Sequence, residues 1–236
     1  MSRQSAIEVV RPGRTTESGQ LGASPMKNVF LLTYDTRRYC FADYLARHIF
    51  RVPNLARLHI YWQQQKLRHT KNTTLGREDN LLLRKLMQDL PDHDRFYTLY
   101  NAFVTEVIGA AFQPKLSYSM HPKMRVHLAG TPSVSKWHRD VDITHRPDQI
   151  NVWLPFTDTY ASNTLWIESD YGNHDYQPVP VRYGQILIFD GGYLSHGTIA
   201  NTSEHSRVSI DFRFALKDIS TSLLANTFFN NRPNFL

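Results

Sequence analysis

A histidine and an aspartate two residues apart can hold a divalent metal from one side. The chain places such a pair at His138 and Asp140, within Lys136-Trp137-His138-Arg139-Asp140. If this stretch is extended, both side chains leave one face of a strand, because strand side chains alternate with period two. A second histidine would complete two imidazoles and one carboxylate, the facial set that binds Fe(II) and leaves coordination positions open. Among the histidines further on, His145 and His174 lie in polar, loop-like stretches, and His205 lies at what reads as a hairpin tip. His196 differs: it follows the apolar run 186–190 and a Gly191-Gly192 turn, and sits in Ser195-His196-Gly197-Thr198-Ile199, a short strand by composition. His196 is therefore the expected third ligand.

A second polar pattern follows in Arg207-Val208-Ser209-Ile210-Asp211-Phe212-Arg213-Phe214. Arg207 and Ser209 share one strand face; Val208, Ile210, Phe212 and Phe214 share the other. One reading is a surface strand with its polar face in water. The other turns that face inward, where a guanidinium takes a carboxylate through two parallel hydrogen bonds and a hydroxyl adds a third. A dicarboxylate such as 2-oxoglutarate could then meet iron at one end and Arg207 at the other. Asn151 and Trp153 share a face, as do Arg125 and His127. Asn151 is a candidate for the cosubstrate; Arg125, His127 and Trp153 are candidates for the substrate. Trp137 and Arg139 alternate away from the metal pair and are assigned to packing and surface.

Together these residues resemble the His-X-Asp…His…Arg-X-Ser signature of the Fe(II)/2-oxoglutarate-dependent dioxygenase superfamily, carried by His138-Arg139-Asp140, His196 and Arg207-Val208-Ser209. Further stretches resemble its phytanoyl-CoA dioxygenase-like branch: residues 152–158, residues 184–190 with Leu194-Ser195-His196-Gly197, and Asn201-Thr202-Ser203. The likeness is collinear over roughly residues 120–215. The N-terminal half is similar, more loosely, to antibiotic-biosynthesis members. Where that branch often carries Pro-Gly-Ser-His, this chain has Ile167-Glu168-Ser169-Asp170. The resemblance implies a double-stranded β-helix, Fe(II) on His138, Asp140 and His196, O2 as oxidant, and 2-oxoglutarate on Arg207 and Ser209.

The elements that must position these residues are legible in outline. Residues 1–26, rich in Ser, Gly, Thr, Arg and Pro, read as a flexible tail. Phe41, Tyr44, Leu45 and Ile49 predict a helix over 37–50, ended near Pro53. Residues 54–85 are basic, with a solvated helix face as the ordinary reading, and apolar stripes predict helices over 78–90 and 94–112. After Pro114 the periodicity changes to short runs at 123–129, 135–140, 149–156, 164–168, 178–182, 185–190, 195–200 and 206–215. So many short strands separated by turn residues predict a sandwich, barrel or jelly roll. The expected fold is α+β: a mainly helical part (27–113) packed on a cupin-like jelly-roll core (114–216), with residues 217–236 as an extension, all one domain.

Bulk properties narrow the chemistry further. The chain has 236 residues, 41% of them hydrophobic and 20% charged, which is ordinary for a globular protein. Its net charge of +6 admits acidic partners, such as nucleic acid, phosphorylated substrates or an acidic carrier protein, without requiring one. The single cysteine, Cys40, excludes an intrachain disulfide and a thiolate zinc cluster. With no apolar leader and no run of membrane-spanning length, no membrane contact is expected and the reducing cytoplasm is the expected location. His138-Arg139-Asp140 also opens a protein-kinase catalytic loop, but the required Asn is replaced by His145, and neither the Gly-rich loop nor Asp-Phe-Gly is present. No Gly-X-Ser-X-Gly elbow supports a serine hydrolase. Halogenating relatives lack the carboxylate that Asp140 supplies, so hydroxylation or a related oxidation of a small molecule is the expected reaction, in secondary (antibiotic) metabolism. The alternatives are an oxygenase for nucleic acid, disfavoured because Tyr61-Trp62 is the only strong aromatic interleaving in the basic segment, one for a carrier-bound substrate, and a non-catalytic jelly roll that binds a small acid or metal.

Overall fold

The large sheet is built from strands whose two faces serve different layers. In the computed structural model, which describes residues 26–70, 72–112, 115–217 and 222–232, these strands are β1 (Val29–Thr33), β2 (Leu116–Tyr118), β3 (Lys123–His127), β4 (Gln149–Pro155), β7 (Gln185–Phe189) and β9 (Arg207–Leu216). They run in the order β1-β7-β4-β9-β2, with β3 also on β9, and every pairing is antiparallel. A second, three-stranded sheet has the order β6-β5-β8, from β5 (Leu165–Ile167), β6 (Gln177–Val179) and β8 (His196–Gly197).

Alternation along the long strands decides what lies on each side. Val152, Leu154, Ile188, Val208, Ile210, Phe212 and Phe214 face a helical layer. That layer comprises α1 (Phe41–Tyr44), which continues as a π-helical turn, α2 (Leu58–His69), α3 (Arg77–Gln88), α4 (Arg95–Phe103) with its own π-helical continuation, and α5 (Gly109–Ala111). Phe41, Phe96, Tyr100 and Phe103 are fully buried in this seam, and Tyr100 meets Phe212 edge-on with ring centroids 5.2 Å apart. The opposite face of the large sheet looks toward the small one. There Val29, Leu31, Trp153, Leu187 and Phe189 pack with Leu165, Ile167 and Val179. Burying both faces of one sheet gives an apolar seam on the helical side and room for a polar interior on the other.

The expected mixture of helix and antiparallel sheet is present, with local differences. Residues 1–25 of the expected tail lie outside the described residues, while Met26 is buried in the inner seam. The apolar stretch before the first helix is a strand, β1, that edges the large sheet. The expected helix over 37–50 begins only at Phe41 and ends at Arg51, which adopts a left-handed φ of 54° just before Val52-Pro53. The extension is also structured: α7 (Leu223–Phe229) buries Ala225 and Phe228, the latter edge-on to Phe30 at 5.0 Å. No helix among the described residues is long and apolar enough to cross a membrane.

Candidate metal centre

Residues 135–140 correct one expectation. They form no strand; the stretch touches the small sheet through one isolated bridge, His138 opposite His196. His138 N donates to His196 O at 3.1 Å and His196 N returns the bond to His138 O at 3.0 Å. Two reciprocal backbone bonds thus set the imidazoles side by side, ring centroids 4.5 Å apart. Asp140 is not extended. It has helical φ/ψ and caps a short helix, α6 (Val141–Thr144), and its place is fixed by Asp140 N and Val141 N donating to Gly191 O and Gly192 O at 2.8 and 3.2 Å. The Gly191-Gly192 turn therefore holds the carboxylate where strand alternation was expected to.

One ligand atom from each of His138, Asp140 and His196 lies within 4.8 Å of the others, so the three could share one ion. His138 Nδ1 and His196 Nδ1 face the carbonyls of Lys136 and Leu194 at 2.8 and 2.9 Å. A carbonyl only accepts, so each Nδ1 carries the proton and each Nε2 keeps its lone pair for a metal. Burial pushes the His196 pKa down to about 4, which keeps the ring neutral. His138 is shifted up by its contact with the Asp140 carboxylate, the Nε2–Oδ1 distance being 3.2 Å. For Asp140 burial alone would raise the pKa; His138, His196, Asn151 and Arg213 outweigh it and hold the group ionised. Asn151 Nδ2 donates to Asp140 Oδ2 at 2.6 Å, and Arg213 Nε lies 2.7 Å from the same oxygen. Oδ1 is left to the side where the imidazoles converge.

A narrow cavity of about 40 Å³, open at its mouth, runs from these three residues to Arg207. Trp153, Leu165 and Phe189 supply apolar wall; Lys123, Arg125, Asp211 and Arg213 supply charge. Arg207 is 2% exposed. Its Nη1 donates to Asn163 O at 2.9 Å and its guanidinium lies 5.5 Å from the Trp153 ring centre. Its Nε has no partner, and no carboxylate among the described residues forms a salt bridge with it. Burial, then the charge of Arg125, lowers its pKa to about 9. Ser209 Oγ, on the same strand face, is also buried and unpartnered.

The other expected site residues fall into distinct places. Trp153 lines the cavity beside Arg207. Arg125 lines it too, with Nε 2.9 Å from Asp211 Oδ1. His127 sits opposite Arg207 in the β3–β9 register, fully buried, with neither ring nitrogen bonded. Asn151 reaches the carboxylate of Asp140 rather than the Arg207 end. Trp137 stacks on Tyr176 at 4.1 Å and Arg139 pairs with Asp142 at 2.9 Å. His205 bonds the Tyr160 hydroxyl at 3.2 Å, outside the cluster. Two groups were not anticipated. Arg213 continues the Arg207–Ser209 face by simple alternation, a signal that was in the sequence. Glu168, in the segment that departs from the Pro-Gly-Ser-His pattern, is 1% exposed and accepts from Ser195 N at 2.6 Å and His174 N at 3.1 Å, bracing the approach to His196.

An antiparallel two-sheet protein with a two-histidine, one-carboxylate cluster, buried at Asp140 and His196 and half-buried at His138, at the end of a cavity is what the fold and the site define. No family model matches the chain. Over 150 residues it is 36% identical to the streptomycin biosynthesis protein StrG of Streptomyces griseus, a match covering 59% of this chain and 69% of that protein. The chain belongs to the StrG family, which is the antibiotic-pathway kinship expected from its sequence. Similar solved structures include EvdMO1 (TM-score 0.43, 17% identity, 54% of this chain but only 34% of that one). Another is SnoN, a non-haem alpha-ketoglutarate-dependent epimerase from nogalamycin biosynthesis (TM-score 0.41, 14% identity, 80% and 77% of the two chains).

Proposed function

We propose that this protein is an Fe(II)- and 2-oxoglutarate-dependent dioxygenase that hydroxylates or otherwise oxidises a small molecule in antibiotic biosynthesis. Its two sheets are read as a double-stranded β-helix, and a reducing cytoplasm, which keeps iron ferrous, goes with this reading. His138, Asp140 and His196 are the iron ligands; Arg207, with Ser209, is the anchor for the distal carboxylate of 2-oxoglutarate. One observation carries the assignment: a buried guanidinium and a buried hydroxyl, each with an unpartnered polar atom, lie on the face that leads from the His-Asp-His cluster. Buried charges and buried polar groups are normally paired, and a carboxylate reaching in from the metal supplies the missing partner.

Bound there, Fe(II) with 2-oxoglutarate and O2 supplies decarboxylation of the cosubstrate to succinate coupled to oxidation of a substrate C–H bond. The chain's own residues prepare that chemistry. The Lys136 and Leu194 carbonyls fix both imidazole tautomers, while Asn151 and Arg213 hold one oxygen of Asp140 so that the other faces the ion. Trp153 and Phe189 exclude water from the wall, and Arg207 sets the direction of the cosubstrate. The test is anaerobic addition of Fe(II) and 2-oxoglutarate, which should produce a visible charge-transfer band. His196→Ala should abolish both the band and succinate formation, whereas His205→Ala should keep them. Folded wild-type protein without the band would leave a binding protein, not an oxygenase.

A further inference from the structure

The cavity carries more positive charge than its own acids and the proposed cosubstrates can answer. Its lining holds four cations, Lys123, Arg125, Arg207 and Arg213, against two carboxylates, Asp140 and Asp211, so with neutral histidines the excess is two positive charges. Loading the site does not change this. A divalent metal and the doubly charged 2-oxoglutarate cancel, and once Arg207 holds a carboxylate the excess rests on Lys123, Arg125 and Arg213, with Asp211 as the counter-ion beside them. Uncompensated charge is costly where a low-dielectric wall lies close.

The position of that excess is specific. Lys123, Asp211 and Arg213 line both the inner cavity and an outer groove that continues along Ser117, Ser119 and His121. Arg125 Nε is taken by Asp211 at 2.9 Å and Arg213 Nε by Asp140 at 2.7 Å. Lys123 is exposed at the mouth and makes no salt bridge among the described residues, and desolvation of its ammonium beside the groove, then the charge of Arg213, lower its pKa. In β3 it lies opposite Asp211, two positions from Arg125, so the cations stand on adjacent strands around one point at the junction.

We propose that the substrate bears a phosphate monoester, bound where cavity and groove meet, with Lys123 as its principal ion partner and Arg125 and Arg213 beside it. A phosphate monoester brings two charges on one group and three acceptor oxygens, which a compact ammonium and two planar guanidinium forks can share. The body of the substrate then extends toward the metal, with the groove hydroxyls of Ser117 and Ser119 outside. As a statement about the oxidised substrate this rests on the proposed function; as a statement about an anion subsite it stands alone.

The experiment is equilibrium binding of glucose 6-phosphate, with glucose, inorganic phosphate and succinate as comparison probes, to the full chain. Each titration is run twice, without additions and anaerobically with saturating Fe(II) and 2-oxoglutarate. Glucose 6-phosphate and inorganic phosphate should bind in both conditions, and glucose should not. Lys123→Ala should weaken phosphate binding about tenfold, the loss of one charge-assisted contact, while Lys123→Arg should retain most of it and Lys123→Glu should abolish it. Glucose 6-phosphate binding no better than glucose, or equally well to Lys123→Ala, would overturn the subsite. Succinate matching inorganic phosphate in the 2-oxoglutarate-loaded protein would also overturn it, in favour of a dicarboxylate. A missing iron band with Lys123-dependent phosphate binding intact would remove the oxygenase reading and leave the subsite; the reverse result would do the opposite.

Discussion

His127 shows what a single side chain pays for standing behind the site. It is fully buried, neither ring nitrogen is bonded, and Arg207 is its cross-strand partner. Burial, and then the Arg207 charge, push its pKa down to about 3. In the unfolded chain the ring titrates near 6.5. Between those values the unfolded state binds a proton that the native state refuses. The native state therefore keeps full stability above about pH 6.5 and loses about 1.4 kcal/mol per pH unit from this group as the pH falls toward 3. Urea melts at pH 7, 6 and 5 check this: His127→Phe should show a shallower decline than the wild type by close to one proton's slope. Parallel declines would mean that the ring is already charged or solvated in the native state.

The elements divide into those that local pattern reveals and those that only tertiary contact explains. β9 was legible: its alternation put Arg207 and Ser209 on one face and Val208, Ile210, Phe212 and Phe214 on the other, and the helices over 78–90 and 94–112 were close in extent. The segment around His138 was not, because its conformation is set from outside, by the bridge to His196 and by the carbonyls of the Gly191-Gly192 turn. A two-residue spacing read as strand alternation paired two side chains that the structure also brings together, but through a different backbone. That turn is itself secured at a distance. Asp190, fully buried, accepts from Tyr171 Oη at 2.8 Å and takes Arg232 Nε and Nη2, each at 2.7 Å. Arg232 follows α7, bonds the carbonyls of Pro147 and Gln149, and lies over the Tyr193 and Phe229 rings. No pattern near residue 190 could have announced a partner so far along the chain. Removing one member of a buried pair costs about 3–5 kcal/mol when the other is left charged and unanswered. Arg232→Ala should therefore lower unfolding free energy by several times the effect of an exposed substitution such as Arg68→Ala, and Asp190→Asn in the Arg232→Ala background should recover part of it. A loss under about 0.5 kcal/mol, the range of a surface change, would show that the latch does not hold the turn.

At the scale of the molecule, the large sheet is stable on its helical side and costly on its inner side. The helical seam is continuous and apolar, whereas the inner face gathers Arg207, Ser209, Asp211 and Arg213 from β9 with Lys123, Arg125 and His127 from β3. Such a face is tolerable when ligands complete its pairings, so stability and occupancy should be coupled. A ligand that binds only the native state at one hundred times its Kd adds about 2.7 kcal/mol, and for a chain of this size each kcal/mol moves the melting temperature by about 2–4 °C. Anaerobic Fe(II) with 2-oxoglutarate at that excess should raise the melting temperature by about 5–10 °C. The two contributions should separate by variant. His196→Ala should lose the rise that Fe(II) gives alone, while Arg207→Ala should keep that rise and lose the further increment from 2-oxoglutarate, because the proposed function gives its guanidinium the cosubstrate and not the metal. If Arg207→Ala kept the full increment, 2-oxoglutarate would have to be held without the guanidinium, and the unpartnered Nε would need another occupant. If neither ligand moved the wild-type transition, the inner face would have to be stable as it stands, and its orphaned polar groups would not be ligand contacts.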